Sequence, residues 1–277
     1  MKLFFIPILY TYSTRLQTPM KALSLIIIYV IPVLSLVIIA NNAINISLLI
    51  TALLAITALY NIYELGYIQN DAETIKKEKK PNLRLSPEQL NFYEKNKKHI
   101  YVTRFIIEIL LLVSLYMLSS SKGIICFSCS LLAMMIVFRL YNTFRSHVNM
   151  LLYFILVTFR YCSPLALFPD NFHWTLVLIA IFTFPLVKTI EFKSAKGPEN
   201  TTNIWFRKYI LHFDKNRLTA YRVIAYLIIT IIAVFLFYTH IFKSWTYLIP
   251  IVWMLLYRTS ILVSIKLGAK YKNYLKN

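Results

Sequence analysis

Residues 44–66 read INISLLITALLAITALYNIYELG, a stretch whose only charge is Glu64. A helix rising about 1.5 Å per residue crosses about 30 Å of hydrocarbon in roughly 20 residues, so this stretch predicts a membrane-spanning helix. The same test applied outward finds seven more spans, at 20–40, 99–119, 123–141, 149–167, 173–192, 218–240 and 245–265. Composition agrees. The 277 residues are 58% hydrophobic and 15% charged, with a mean hydropathy of +0.62. Soluble domains run about 45–50% apolar and about 25% charged. The expected fold is all-α, a polytopic transmembrane helical bundle forming one domain over 1–277. Four glycines and three cysteines exclude a collagen-like chain and a disulfide scaffold. Met1–Tyr12 is apolar but too short to span and has no small-residue cleavage site, which predicts an interfacial arm rather than a signal peptide.

Lysine and arginine set the expected orientation, because cytoplasmic loops retain them. With the N-terminus inside, 22 of the 30 basic residues fall in inside segments and two, Lys122 and Lys243, fall outside. Both termini and the two long loops, 67–98 and 193–217, are therefore expected to face the cytoplasm, the loops capping an active site. The formal charge of +19 is then topology and headgroup contact, not a nucleic-acid surface. In the first loop, Ser86-Pro87-Glu88-Gln89 supplies an N-cap, a proline at the first helical position and a capping-box glutamine. Leu90, Phe92 and Tyr93 follow among Glu94, Lys95, Lys97 and Lys98, predicting a short amphipathic helix on the membrane surface.

Charges within a bilayer cost several kcal/mol each on most scales and mark function by default. Six bases lie within spans: Arg104, Arg139, Arg160, Lys188, Arg222 and Arg258. In this topology all but Arg160 fall toward cytoplasmic ends. Snorkelling of long side chains accounts for any single one. Five on one side suggest the rim of an anion site, with Arg139, Lys188, Arg222 and Arg258 as substrate-binding candidates; Arg104 is placed to pair with Glu108 at i, i+4. The acids cluster at the end of the second span: Glu64, Asp71 and Glu78 repeat every seven residues and would share one face of a continuing helix, with Thr74 between the last two. Carboxylates on one face beside a basic rim suit a Mg²⁺ ion bridging to phosphate oxygens. The plainer alternative is a solvated loop edge in which glutamates pair with Lys76, Lys77 and Lys79.

The stretch Tyr67-Ile68-Gln69-Asn70-Asp71-Ala72-Glu73-Thr74-Ile75-Lys76-Lys77-Glu78 resembles the N-D-x-x-D-x-x-x-D signature of the UbiA superfamily of intramembrane prenyltransferases. Asn70, Asp71 and Glu78 match in position and chemistry, and Thr74 stands where the family has its middle aspartate. After the sixth span, Lys188-Thr189-Ile190-Glu191 is similar to the basic-x-x-Glu of the decaprenyl-phosphate phosphoribosyltransferase branch rather than to a second aspartate motif. Arg15 with Lys21, Lys79-Lys80-Pro81 with Arg84, and Lys215 to Tyr221 resemble further fragments of that branch.

The resemblance implies an integral-membrane transferase. Asp71 and Glu78 would hold Mg²⁺ against a diphosphate, with Asn70, Thr74, Arg15, Lys21, Lys79 and Arg84 binding substrate and Lys188 and Glu191 at the reacting end. One acidic motif amid many bases suits transfer of 5-phosphoribose from phosphoribosyl diphosphate to a polyprenyl phosphate, which brings three anionic groups together. That activity would serve cell-envelope glycan synthesis in a bacterial cytoplasmic membrane, a setting to which the Lys-, Asn- and Ile-rich usage also points. The alternative is a prenyltransferase using a polyprenyl diphosphate donor and an aromatic or other acceptor. A third reading, an anionic-lipid transporter, would place polar groups near the midplane in broken helices. Cys126-Phe127-Ser128-Cys129 lies in an apolar span with no second pair, and the five histidines have no ligand spacing.

Overall fold

The computed structural model describes residues 1–77, 83–144, 148–171, 173–194 and 215–274, and side chains for all of these except 77, 192–194, 215–217 and 269–274. The described residues are helical and contain no strand. Among the described residues, eight helices are long and apolar enough to cross a membrane: α1 (Pro19–Asn41), α2 (Ile46–Lys76), α3 (Pro87–Tyr116), α4 (Ser121–Thr143), α5 (Val148–Leu167), α6 (Trp174–Glu191), α7 (Leu218–Tyr238) and α8 (Trp245–Gly268). The chain divides into two compact units, Met1–His173 and Trp174–Asn277.

Helix starts follow local chemistry. The side chains of Thr18, Asn45, Ser86 and Ser120 each accept a backbone N–H from the first turn that follows them, satisfying donors that a helix leaves orphaned. At Ser86 the full capping box forms, with Gln89 returning a bond to the Ser86 amide at 2.9 Å. This helix differs from expectation, because the amphipathic segment is not a separate surface helix. Pro87–Tyr116 is one helix of 30 residues, with no proline or glycine after its first turn to interrupt it. At about 45 Å it exceeds the hydrocarbon thickness, so the charged turns around Lys95, Lys97 and Lys98 project beyond the core. The second span likewise runs past residue 66, remaining α-helical to Ala72 and ending in a tighter turn, Thr74–Lys77.

Prolines punctuate the spans at specific cost. Pro32 lacks the N–H that would bond the Ile28 carbonyl four residues earlier, and a wide π-type turn, Ile26–Val30, precedes it. The Tyr161 hydroxyl fills that carbonyl at 2.7 Å. Pro164 deprives the Arg160 carbonyl in the same way, and the Tyr29 hydroxyl fills it at 3.1 Å. Helices α1 and α5 therefore repair each other. Pro185 sits within a second π-type turn, Phe182–Leu186, in α6. Between α2 and α4, Gly66 allows the ring of Phe138 so close that a Cβ there would lie 2.4 Å from it. Asn142 secures the same crossing by donating to the Gly66 carbonyl at 2.9 Å.

The N-terminal arm is not merely interfacial. Phe4 and Tyr10 are fully buried and pack with Ile68, Ala72, Leu85, Tyr93 and Ile100. The reason is electrostatic as well as apolar, since an irregular arm carries unpaired backbone groups that must be satisfied when buried. Arg104 on α3 donates to the Phe4 carbonyl at 2.9 Å and the Ile6 carbonyl at 3.1 Å. Glu64 on α2 accepts the amides of Ile8 at 3.0 Å and Thr11 at 2.6 Å. Arg104 and Glu64 pair directly at 2.9 Å, both fully buried. The expected Arg104–Glu108 pairing is not what forms; Glu108 accepts instead from Asn61 at 2.9 Å. In the second unit, α6, α7 and α8 enclose a smaller core of Ile179, Ala233, Phe242 and Ile251.

Candidate functional site

The extension of α2 beyond residue 66 carries Asn70 and Asp71 to the end of the helix, where three separate segments meet. Asp71 is 1% exposed and its two oxygens are fully engaged. Arg15 of the arm approaches them with both terminal nitrogens, at 2.8 and 2.9 Å. Arg84, from the segment entering α3, reaches Oδ1 at 3.2 Å. The Tyr10 hydroxyl donates to Oδ2 at 3.0 Å, and Asn70 Nδ2 donates to Oδ1 at 3.2 Å. Arg15 also lies over the Tyr67 ring, 4.4 Å from its centroid, which fixes the plane of the guanidinium. Burial, then the neighbouring Asp71 charge, pushes the Tyr10 hydroxyl well above its ordinary pKa, so it remains a donor at any working pH. Burial alone would weaken the Arg15 charge, but the bonds and charge of Asp71 outweigh it and raise its pKa.

Of these groups, Arg15, Asn70, Arg84 and Tyr67 border a cavity of about 340 Å³ that is also lined by Ile75 and the rings of Tyr63, Phe138, Tyr141 and Tyr153. Its size matches small-ligand sites, which begin at roughly 300 Å³. Two guanidiniums face one carboxylate, so the rim keeps a positive surplus. The rings offer flat apolar faces with phenolic tips. Such a site suits an anion attached to a flat or apolar body.

Of the residues singled out from the sequence, the structure brings Arg15, Asn70, Asp71 and Arg84 together at the cavity. Glu64 is not at the cavity; it holds the arm. Thr74 donates to the Gln69 carbonyl at 3.4 Å. Lys21 and Arg139 are exposed and do not line the cavity. Glu78 and Lys79, with most of the loop 193–217, lie outside the described residues. Tyr10 and the tyrosine walls were not anticipated; Tyr60, Tyr63 and Tyr67, spaced three and four apart on α2, are the pattern that marks them.

The second unit holds its own cluster. Glu191 at the end of α6 accepts from Arg222 Nε at 2.7 Å and Nη2 at 3.0 Å, and pairs with Lys188 at 3.5 Å. Arg258, 5% exposed, adds its field to the same carboxylate. Three cations gather about one acid, again with a positive surplus.

The donor set around Asp71 does not suit a resident Mg²⁺ ion. That ion needs oxygen ligands with free lone pairs, whereas both Asp71 oxygens are taken by cations and a hydroxyl. Among the described residues no three histidine, cysteine or acidic side chains gather as a metal site. Comparison with protein-family models, with curated proteins and with solved structures found no match to this chain.

Proposed function

We propose that the chain is a UbiA-type integral-membrane transferase that moves 5-phosphoribose from phosphoribosyl diphosphate to a polyprenyl phosphate. The observation that carries this reading is the Arg15–Asp71–Arg84 cluster at the edge of the aromatic cavity. In the reaction, the bond between ribose C1 and the diphosphate oxygen breaks, the diphosphate leaves with the bonding pair, and a lipid phosphate oxygen forms the new bond to C1. Negative charge grows on the leaving group. Two guanidiniums, each already held against Asp71, stabilise that charge with little reorganisation. Asp71 and Tyr10 fix the guanidiniums, and the nucleophile needs no base because the lipid phosphate is already anionic. Taken by itself, the second unit's cluster of Lys188, Arg222 and Arg258 about Glu191 has a positive surplus suited to a phosphate headgroup. The Mg²⁺ that the resemblance implies enters this proposal as a companion of the diphosphate, not as an ion resident on Asp71.

A UbiA-type prenyl transfer is the second reading. It is favoured by the faces of Tyr63, Tyr67 and Phe138, which would stabilise an allylic cation next to a departing diphosphate. The two readings separate in one assay. Purified protein in nanodiscs is given labelled phosphoribosyl diphosphate with polyprenyl phosphate, and in parallel a polyprenyl diphosphate with an aromatic acceptor. Label should pass from phosphoribosyl diphosphate into the lipid phase, and Asp71→Asn should slow that transfer at least tenfold. Transfer by Asp71→Asn at the wild-type rate would remove the basis for the proposal.

A further inference from the structure

Arg160 on α5 stands about 18 Å along its helix from Val148, deep in an apolar span. No carboxylate among the described residues pairs with it. Its surroundings are aromatic: the guanidinium carbon lies 4.4 Å from the Tyr29 ring centroid, 5.2 Å from that of Tyr60 and 5.7 Å from that of Tyr63. One terminal nitrogen donates to the Tyr60 hydroxyl, and Nε makes no hydrogen bond. Ring faces stabilise a cation but carry no net charge, so the field of Arg160 remains standing. Tyr63 links the two: its ring lies near the Arg160 guanidinium and also lines the cavity. Leu156, one helical turn before Arg160, also lines the cavity.

We propose that the cavity is an anion site whose inner end is held electropositive by Arg160, so that phosphate-bearing ligands enter phosphate first and are selected by their number of charges. Arg15 and Arg84 offer direct contacts at one end; at the other, Arg160 acts through Tyr63 without touching the ligand. It is a positioning and selectivity residue. At an effective dielectric of about 20 and a separation of about 9 Å, its charge is worth roughly twentyfold in affinity per unit of ligand charge. The inference rests on reading the cavity as a site for phosphorylated ligands, but not on group transfer.

The test is equilibrium binding to the full chain in nanodiscs, with no turnover, using inorganic phosphate, diphosphate and tripolyphosphate as probes. Arg160→Gln should weaken all three, with a loss that grows by about tenfold or more at each step up in charge. Arg160→Lys should stay within about threefold of wild type for every probe. A loss equal for all three probes, or none, would overturn the proposal. Should Arg160→Gln not be recovered folded, Tyr63→4-cyanophenylalanine leaves the cation in place: its nitrile stretch should shift when diphosphate binds, and an unmoved band would be equally fatal. Because no reaction is measured, a chain that binds by charge number but transfers nothing would keep this inference while removing the transferase reading.

Discussion

Tyr29 and Tyr161 each donate a hydroxyl to the carbonyl that a proline has orphaned in the other's helix, with their rings edge-on at a centroid distance of 5.3 Å. Each bond exists because a proline removed a backbone donor. Tyr161→Phe should therefore cost about 1 kcal/mol of unfolding free energy in the wild type. In a Pro32→Ala background, where the Ile28 carbonyl regains a backbone donor, the same change should cost less than half as much. Reversible unfolding in bicelles, run as a double-mutant cycle, reads the coupling.

The Arg104–Glu64 pair is sealed from solvent on both sides and also holds five backbone groups of the arm. Removing one partner leaves a buried charge uncompensated, which typically costs about 3–5 kcal/mol. Glu64→Gln and Arg104→Met should each destabilise on that scale, and the double variant should cost clearly less than the sum. Simple additivity in the same unfolding assay would mean that the two do not act as a unit.

At the cavity the prediction separates anion binding from metal binding. Asp71→Asn removes the one carboxylate among the described residues that pairs with Arg15 and Arg84 but leaves both cations, so affinity for inorganic diphosphate in chelator should hold or rise even as transfer slows. Arg15→Leu should weaken diphosphate at least tenfold, and Arg84→Leu by less, since Arg84 makes one longer contact and is more exposed. Calorimetry with and without Mg²⁺ distinguishes this pattern from a metal site, in which Asp71→Asn would abolish binding.

Gly66→Ala should destabilise by about 1–3 kcal/mol, because the new methyl group meets the Phe138 ring at 2.4 Å, far inside contact distance. Phe138→Leu in the same chain should restore part of that loss. Thermal unfolding of the three variants decides it.

In the second unit, Glu191→Gln exposes Lys188, Arg222 and Arg258 to one another and should be more damaging than Lys188→Met. Arg222 makes two short bonds to that carboxylate where Lys188 makes one long one, so Arg222→Met should fall between them. Yield of folded protein from detergent, scored by size-exclusion chromatography, ranks the three.

Much of this architecture was legible in the sequence because the bilayer imposes length and apolarity on each span, and because caps and prolines act locally. The Ser86 box and the shared face of Glu64 and Asp71 both follow from spacing alone. The partners of those acids did not. Arg104 sits forty residues from Glu64 and four from Glu108, and only the rotation of α2 against α3 decides which it meets. The burial of Phe4 and Tyr10 was not legible for a related reason: the arm's apolar composition is the same whether it faces lipid or protein. The apolar stretch of the second span ends near residue 66, but the helix continues to Ala72, where Ile68 and Ala72 pack with Phe4 and Tyr10 of the arm.

The arm leaves the ribosome well before the side chains that fasten it: Glu64 and Asp71 on α2, Arg84 before α3, and Arg104 within it. During synthesis it must wait, unsatisfied, until the third span has been inserted. The binding pocket therefore has no precursor in a shorter nascent chain, and stalled or truncated products ending before α3 should expose a sticky amino-terminal segment to chaperones and quality-control proteases.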